Sequence, residues 1–385
     1  MKIIVAPDSF KGSLSAKEVS VSIETGIKKV FPDANTLLLP LADGGEGTMD
    51  TMITATGGEK KSIEVTGPLG ESVSASYGIL GDRKTCVIEM AEASGLYLVP
   101  QDKLDPMKAT TYGTGELIKH ALDQGYTSFI LALGGSATND GGAGMLQALG
   151  ARLLDREGKD IGFGGACLAD LNTIDATSLD KRIRNCTFLI ASDVESPLIG
   201  TEGASYVFGP QKGASLRQVQ ELDANLAHWA DNIEKTTGVR LHDLPGAGAA
   251  GGIGGAFKAF FDAEMRRGID VVIKYTKLSE ALEGADLLVT GEGQVDVQTA
   301  AGKTPMGAAQ EANKQGVPTV ILAGSVGEGI EKLYPFGVVS VHSIINQPLS
   351  LQQSMNRTDE LLIYTAEQVI RTYFYHRIND KKRNR

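Results

Sequence analysis

Glycines and carboxylates crowd the ends of three short apolar runs: LLLPLADGGEGT (residues 37–48), FILALGGSATNDGGAG (129–144) and DLLVTGEGQVD (286–296). Glycine lets neighbouring backbone N–H groups close on an anion, and nearby carboxylates hold a metal ion or accept a proton. Polyphosphate together with Mg²⁺ requires that combination, so the residues point first to chemistry on ATP.

Each loop offers particular side chains. In the first, Asp43 and Glu46 are candidate metal ligands beside a glycine turn. In the second, Gly134, Gly135, Ser136, Thr138 and Asn139 supply N–H and hydroxyl donors for phosphate oxygens, and Asp140 is a further candidate for Mg²⁺. In the third, Gly291 and Glu292 are placed to meet a nucleotide, and Asp296 to hold metal. A fourth segment, Pro7-Asp8-Ser9-Phe10-Lys11-Gly12-Ser13, joins a strand to a helix N-terminus. There Lys11 adds a full positive charge to the partial charge of the helix end, and Asp8 can act as base or metal ligand. Asp193 follows another strand and is the leading candidate for a base that orients or deprotonates a hydroxyl. Lys212, in Phe208-Gly209-Pro210-Gln211-Lys212-Gly213, is a candidate cation.

Two motif matches are weak. Gly246-Ala247-Gly248-Ala249-Ala250-Gly251 has the form GxGxxG, but no apolar strand precedes it, which disfavours a dinucleotide fold. Gly302-Lys303-Thr304 resembles the end of a Walker A loop, yet Val297 stands where its first glycine belongs. Lys303 remains a fair phosphate contact at a helix start. Ordinary readings compete throughout: a strand-end Asp often caps its own loop, and glycine pairs often only turn the chain.

Positioning these groups falls to alternating strands and helices. Residues 2–6 read as a strand, and Ala16, Val19, Ile23, Ile27 and Val30 form a helical stripe opened by a Ser15/Glu18 capping box. Residues 36–41 form the next strand, giving a βαβ unit and a parallel sheet with ligands outside the strand C-termini. After Thr66-Gly67-Pro68-Leu69-Gly70 the pattern changes to a predicted hairpin over 73–79 and 85–90. Strands are expected at 129–133, 187–191, 286–290, 319–323 and 338–343, and helices at 115–122, 143–149, 217–235, 306–314 and 358–378. The expectation is an α/β protein of two α/β domains. Residues 1–65 and 275–385 form a discontinuous parallel-sheet domain and 66–274 an inserted mixed domain, with the active site in the cleft between them.

Composition limits the partners. The chain has 385 residues, 42% hydrophobic and 22% charged, with a net charge of −10, which argues against nucleic acid or an anionic membrane as partner. Its one basic run is Lys381-Lys382-Arg383, read as a solvated tail. Cys86, Cys167 and Cys186 form no CxxC pair, the five histidines form no zinc motif, and no stretch is long enough to span a bilayer. A reduced, cytoplasmic enzyme is the expectation, compatible with a homo-oligomer.

Taken in order, APDSFKGSLSA, LPLADGGEGT, VIEMAEASGL, TTYGTGELI, LGGSATNDGGAGMLQALGA, SDVESPL, FGPQKGA, DLPGAGAAGGIGGA and TGEGQVDVQT with GKTP resemble the type I glycerate kinase family. The resemblance runs from Met1 to about Gly324. It implies a flavodoxin-like domain, an insertion described as restriction-endonuclease-like, and ATP- and Mg²⁺-dependent phosphorylation of D-glycerate at the 2-hydroxyl. Two stretches depart from the family pattern: Ser196 replaces an asparagine, and Gln294 and Val297 alter the GRxDGQT string. Without an arginine at 294, any cation on the transferred phosphoryl group must come from Lys11, Lys212 or Lys303. Two other classes compete, a nicotinamide-dependent hydroxy-acid oxidoreductase and a non-catalytic sugar-acid sensor.

Overall fold

The computed structural model describes residues 1–300 and 302–378, so the Lys381-Lys382-Arg383 run lies outside the described residues. The chain divides into two compact units, Met1–Asp43 with Ile269–Arg385, and Gly44–Gly268. Its strands in chain order are β1 (Lys2–Val5) and β2 (Asn35–Leu38) in the first unit. Within the second lie β3 (Glu59–Thr66), β4 (Ser72–Ile79), β5 (Thr85–Glu89), β6 (Ser128–Ala132), β7 (Arg152–Leu154), β8 (Thr173–Asp175), β9 (Thr187–Ala191) and β10 (Glu264–Arg266). The first unit then resumes with β11 (Leu287–Val295), β12 (Thr319–Val326) and β13 (Val338–Ser343).

In the first unit the sheet order is β13-β12-β11-β1-β2, and every pairing is parallel. Counted along that unit alone, the order is 2-1-3-4-5, the flavodoxin-like arrangement that the family resemblance implies. Connections leave β1 and β11 toward opposite sides, so the C-terminal ends of these neighbours make the crevice where such sheets bind ligands. The expected helical stripe forms the Ala16–Val30 helix, with its capping box in place: Glu18 N–H donates to Ser15 Oγ at 3.3 Å and Ser15 N–H to the Glu18 carboxylate at 2.9 Å. Its Val19, Ile23 and Ile27 are buried with Ile3, Val5 and Leu361 in one apolar core. Gly26 permits close approach of the Thr358–Tyr373 helix, because a Cβ there would lie 2.5 Å from the Ile363 carbonyl oxygen.

The second unit has a six-stranded sheet ordered β10-β9-β6-β5-β4-β3, with β7 and β8 forming a separate pair. Strands β5, β6, β9 and β10 are parallel, whereas β3 and β4 are antiparallel. The expected 73–79/85–90 hairpin is present as only a short antiparallel contact, Gly78↔Val87 and Ile79↔Cys86. The longer hairpin is β3–β4, in register from Glu59↔Ile79 to Thr66↔Ser72. That pairing holds residues 59–66 within the Gly44–Gly268 unit. At the other boundary Ile269 belongs to the first unit, where it fills the space left by Gly307: a Cβ on Gly307 would meet Ile269 Cγ1 at 2.4 Å. The two ends of the inserted unit adjoin, since a Cβ on Gly44 would lie 3.0 Å from Gly268 Cα.

Candidate functional site

In the first unit, the residues that follow β1 and the C-terminal half of β11 converge on a cavity of ≈ 480 Å³. Its charged lining is Asp8, Asp43 and Glu292 with Lys11 and Lys303. Asp8 emerges just beyond β1, and its N–H donates to the Gly291 carbonyl on β11 at 2.8 Å, which pins the two strand ends together. The Asp8 carboxylate is buried. It accepts from Ser9 N–H at 2.6 Å and from the Thr304 hydroxyl at 2.5 Å. Burial raises its pKa to about 6, and the negative Asp43 pushes in the same direction, against the Thr304 and Ser9 hydrogen bonds and Lys11.

Glu292 behaves alike. Burial lifts its carboxyl to about 7, opposed by the Thr299 hydroxyl, which donates to Oε1 at 2.5 Å, and by Lys303. Asp8 and Asp43 add like-charge repulsion. Lys303 is the N-cap of the Thr304–Lys314 helix, with Pro305 in its first turn, so a lysine that lines the cavity sits at a helix N-terminus. The GKT string is therefore a helix start, not a Walker A loop. Thr304 and Thr299, which fix the two carboxylates, carried no signal in sequence, because a threonine at a helix start has an ordinary capping explanation.

Asp296 is built differently. Its carboxylate accepts from Gln298 N–H at 2.8 Å and from the Gln294 amide at 2.9 Å; the first of these chiefly holds its pKa below the usual range. It caps its own turn, and it is not among the residues lining the cavity.

The second unit gathers the other predicted loops. A Cβ on Gly134 would lie 2.6 Å from Gly45 Cα, and one on Gly44 2.8 Å from the Ala191 carbonyl oxygen, so the loops after β6 and β9 meet the 44–47 segment backbone to backbone. Gly134 and Gly135 reach the surface, and Glu46 is exposed. Asp193 is exposed beyond β9 and accepts from Gly268 N–H at 3.0 Å. Ser136, Thr138, Asn139 and Asp140 are buried. Asp140 accepts from Thr111 N–H and Oγ1–H, each at 2.8 Å, from Gly142 N–H at 3.0 Å and from Gly144 N–H at 3.3 Å. This saturated carboxylate braces the loop from inside, which its glycine-rich surroundings in sequence had disguised.

Lys212 is buried too, donating to Ser136 Oγ at 2.8 Å and the Thr138 carbonyl at 2.6 Å, and burial depresses its pKa to about 7. It braces the same loop, and of the three candidate cations Lys11 and Lys303 line the cavity of the first unit. Glu89, at the end of β5, was not anticipated. Buried, it accepts from Met49 N–H at 2.7 Å at the start of the Thr48–Thr56 helix. The GxGxxG string is a packing device: a Cβ on Gly251 would sit 2.0 Å from the Thr138 carbonyl oxygen, and Gly141 N–H donates to the Gly251 carbonyl at 2.9 Å.

Hard oxygen donors suit Mg²⁺, which takes one or two carboxylates and completes its shell with water and phosphate. No cluster of three or more acidic, histidine or cysteine groups able to cage a metal occurs among the described residues. Asp43 and Glu292, which line one cavity, fit the lesser demand of Mg²⁺, and a cation there would relieve the like-charge repulsion that adds to burial in raising the Asp8 and Glu292 carboxyls. No helix among the described residues is long and apolar enough to cross a membrane.

A family model described as the glycerate kinase family matches residues 3–374. The chain is 51% identical to a glycerate 2-kinase of Escherichia coli K12, over 92% of this chain and 93% of that protein. It is 47% identical to a glycerate kinase of Halalkalibacterium halodurans, over 95% and 97% of the two chains. The crystal structure of a protein assigned as glycerate kinase 2 from Salmonella typhimurium LT2 superimposes with a TM-score of 0.87 at 48% identity, covering 98% of this chain and 99% of that one.

Proposed function

The chain belongs to the glycerate kinase family, enzymes that phosphorylate glycerate, and from that premise we propose that it transfers the γ-phosphoryl group of ATP to the 2-hydroxyl of D-glycerate, giving 2-phosphoglycerate. The observation that carries this reading is the convergence of Asp8, Asp43, Glu292, Lys11 and Lys303 on one cavity at the strand switch of a parallel sheet. Phosphoryl transfer asks a protein for positioning and for charge stabilisation more than for covalent chemistry.

Each residue then has a task. Asp8, with its pKa near neutrality and its carboxylate held by Thr304, orients the glycerate hydroxyl and accepts its proton. Lys11 and Lys303 neutralise phosphate oxygens or the glycerate carboxylate. Asp43 and Glu292 suit Mg²⁺, which supplies charge neutralisation on the phosphates when bound. Gly134, Gly135 and the Ser136 hydroxyl, which accepts from Lys212 and so keeps its own proton to donate, suit a phosphate oxygen. Glu46 and Asp193, exposed in the second unit, are the alternative metal ligand and the alternative base.

Two assays test the reading. Incubation with D-glycerate and Mg-ATP should release ADP, and enolase alone should consume the product, because 3-phosphoglycerate would first need a mutase. No ADP release would end the kinase reading for this substrate. Asp8→Asn should lower kcat by ~10²-fold or more while Asp193→Asn stays within a few-fold; the reverse pattern moves the base to Asp193.

A further inference from the structure

The cavity has an apolar wall that phosphoryl transfer to a three-carbon acid leaves unexplained. Besides the charged groups it is lined by Ile344, Ile345, Leu349, Leu351 and Met355, the last packed against the Lys11-Gly12-Ser13 turn. These residues follow β13 and lead into the Leu351–Asn356 helix, capped by Ser350. Ile344 is buried in the core, but Ile345, Leu349 and Met355 are only half-buried and Leu351 is 77% exposed. Apolar side chains left partly open around one concavity are the usual lining of an organic-ligand site, with a few polar groups fixing orientation.

Size and polarity select the occupant. Glycerate carries a hydroxyl or carboxylate oxygen on every carbon and has no apolar face to offer this wall. At ≈ 480 Å³ the cavity also falls in the range of pockets that enclose drug-sized ligands rather than three-carbon acids. A nucleotide matches both kinds of lining at once, a flat base with weakly hydrated faces and a polyanionic tail. Lys11 and Lys303 line the same cavity as Asp43 and Glu292, whose carboxylates suit the accompanying cation.

We propose that the Ile345/Leu349/Leu351/Met355 wall of the first unit is the base-binding subsite of the nucleotide, with the phosphates directed toward Lys11 and Lys303. This rests on ATP as the phosphoryl donor. It assigns the segment after β13, where the sequence showed no recognisable motif, as the determinant of nucleotide affinity.

The test compares probes with and without a base. ADP, inorganic pyrophosphate and D-glycerate binding would be measured by titration calorimetry on the full chain in Mg²⁺, for wild type, Leu349→Asp and Leu351→Asp. The highly exposed Leu351 tolerates substitution without a folding penalty, so it keeps the test valid if Leu349→Asp is unstable. Leu349→Asp should weaken ADP at least ~10-fold and Leu351→Asp several-fold, with pyrophosphate and D-glycerate unchanged. Equal weakening of ADP and pyrophosphate, an unchanged ADP affinity, or a selective loss of D-glycerate would each overturn the assignment. Binding is read without turnover, so a chain that failed to phosphorylate D-glycerate yet lost ADP selectively would sink the function and keep the subsite.

Discussion

Asp8 holds a carboxylate out of water beside two others, and that state depends on its neighbours. Thr304 supplies one of the two hydrogen bonds on that carboxylate given above, through a hydroxyl with no other visible task. Thr304→Val should leave the helix N-terminus intact and lower kcat/KM by roughly 10-fold, the cost of one hydrogen bond to a buried charged group. Wild-type kinetics in that variant would mean that Asp8 needs no orientation. The same residues show what a sequence makes legible. Asp8, Lys11, Asp43, Glu292 and Lys303 could be picked out because acidic and basic groups at strand ends are more than a turn requires. Asp140 and Lys212 looked equally available. Only packing reveals that both point inward, since the same glycines that expose a backbone to a ligand also let a side chain fold beneath it.

Among the elements, the Thr48–Thr56 helix depends on a residue from another element. Its N-cap, Gly47, has no side chain to offer, and Glu89 from the end of β5 takes the Met49 N–H instead. Burial chiefly raises the Glu89 carboxyl from 4.5 to about 7, against that hydrogen bond. Between those values the folded chain keeps a proton that the unfolded chain releases. This contribution to stability is therefore complete below pH 4.5 and is lost as the pH rises through about 7. The loss amounts to at most about 3 kcal/mol. Glu89→Gln keeps an acceptor without the titration, so the wild-type Tm should fall relative to the variant between pH 5 and pH 8. Parallel Tm curves would contradict this. The pairing of β5 with the helix was invisible to local pattern, as was β3, whose EKKSIEVT carries too few apolar residues to advertise a strand and is recruited by β4. By contrast β9 and β13 fall at 187–191 and 338–343, as expected, because compact apolar runs there mark buried parallel strands.

At the scale of the whole molecule, the inserted unit is one continuous segment with its own sheet and its own apolar core. Its ends meet at Gly44 and Gly268, as an autonomous domain's termini commonly do. Residues 44–268 expressed alone should therefore melt in a single cooperative transition followed by circular dichroism. A non-cooperative melt would show that the segment needs the outer strands. Central pairing in the outer sheet joins Ile3 to Leu287, partners separated by roughly 280 residues of chain. If the insertion collapses first, its adjoining ends shorten the effective loop to roughly 60 residues and lower the closure entropy by about 1.4 kcal/mol. That is close to a tenfold gain in the chance of the two strands meeting. The inserted unit thus sets the tempo for the sheet it interrupts: slowing its collapse delays a strand pair to which it contributes no residue.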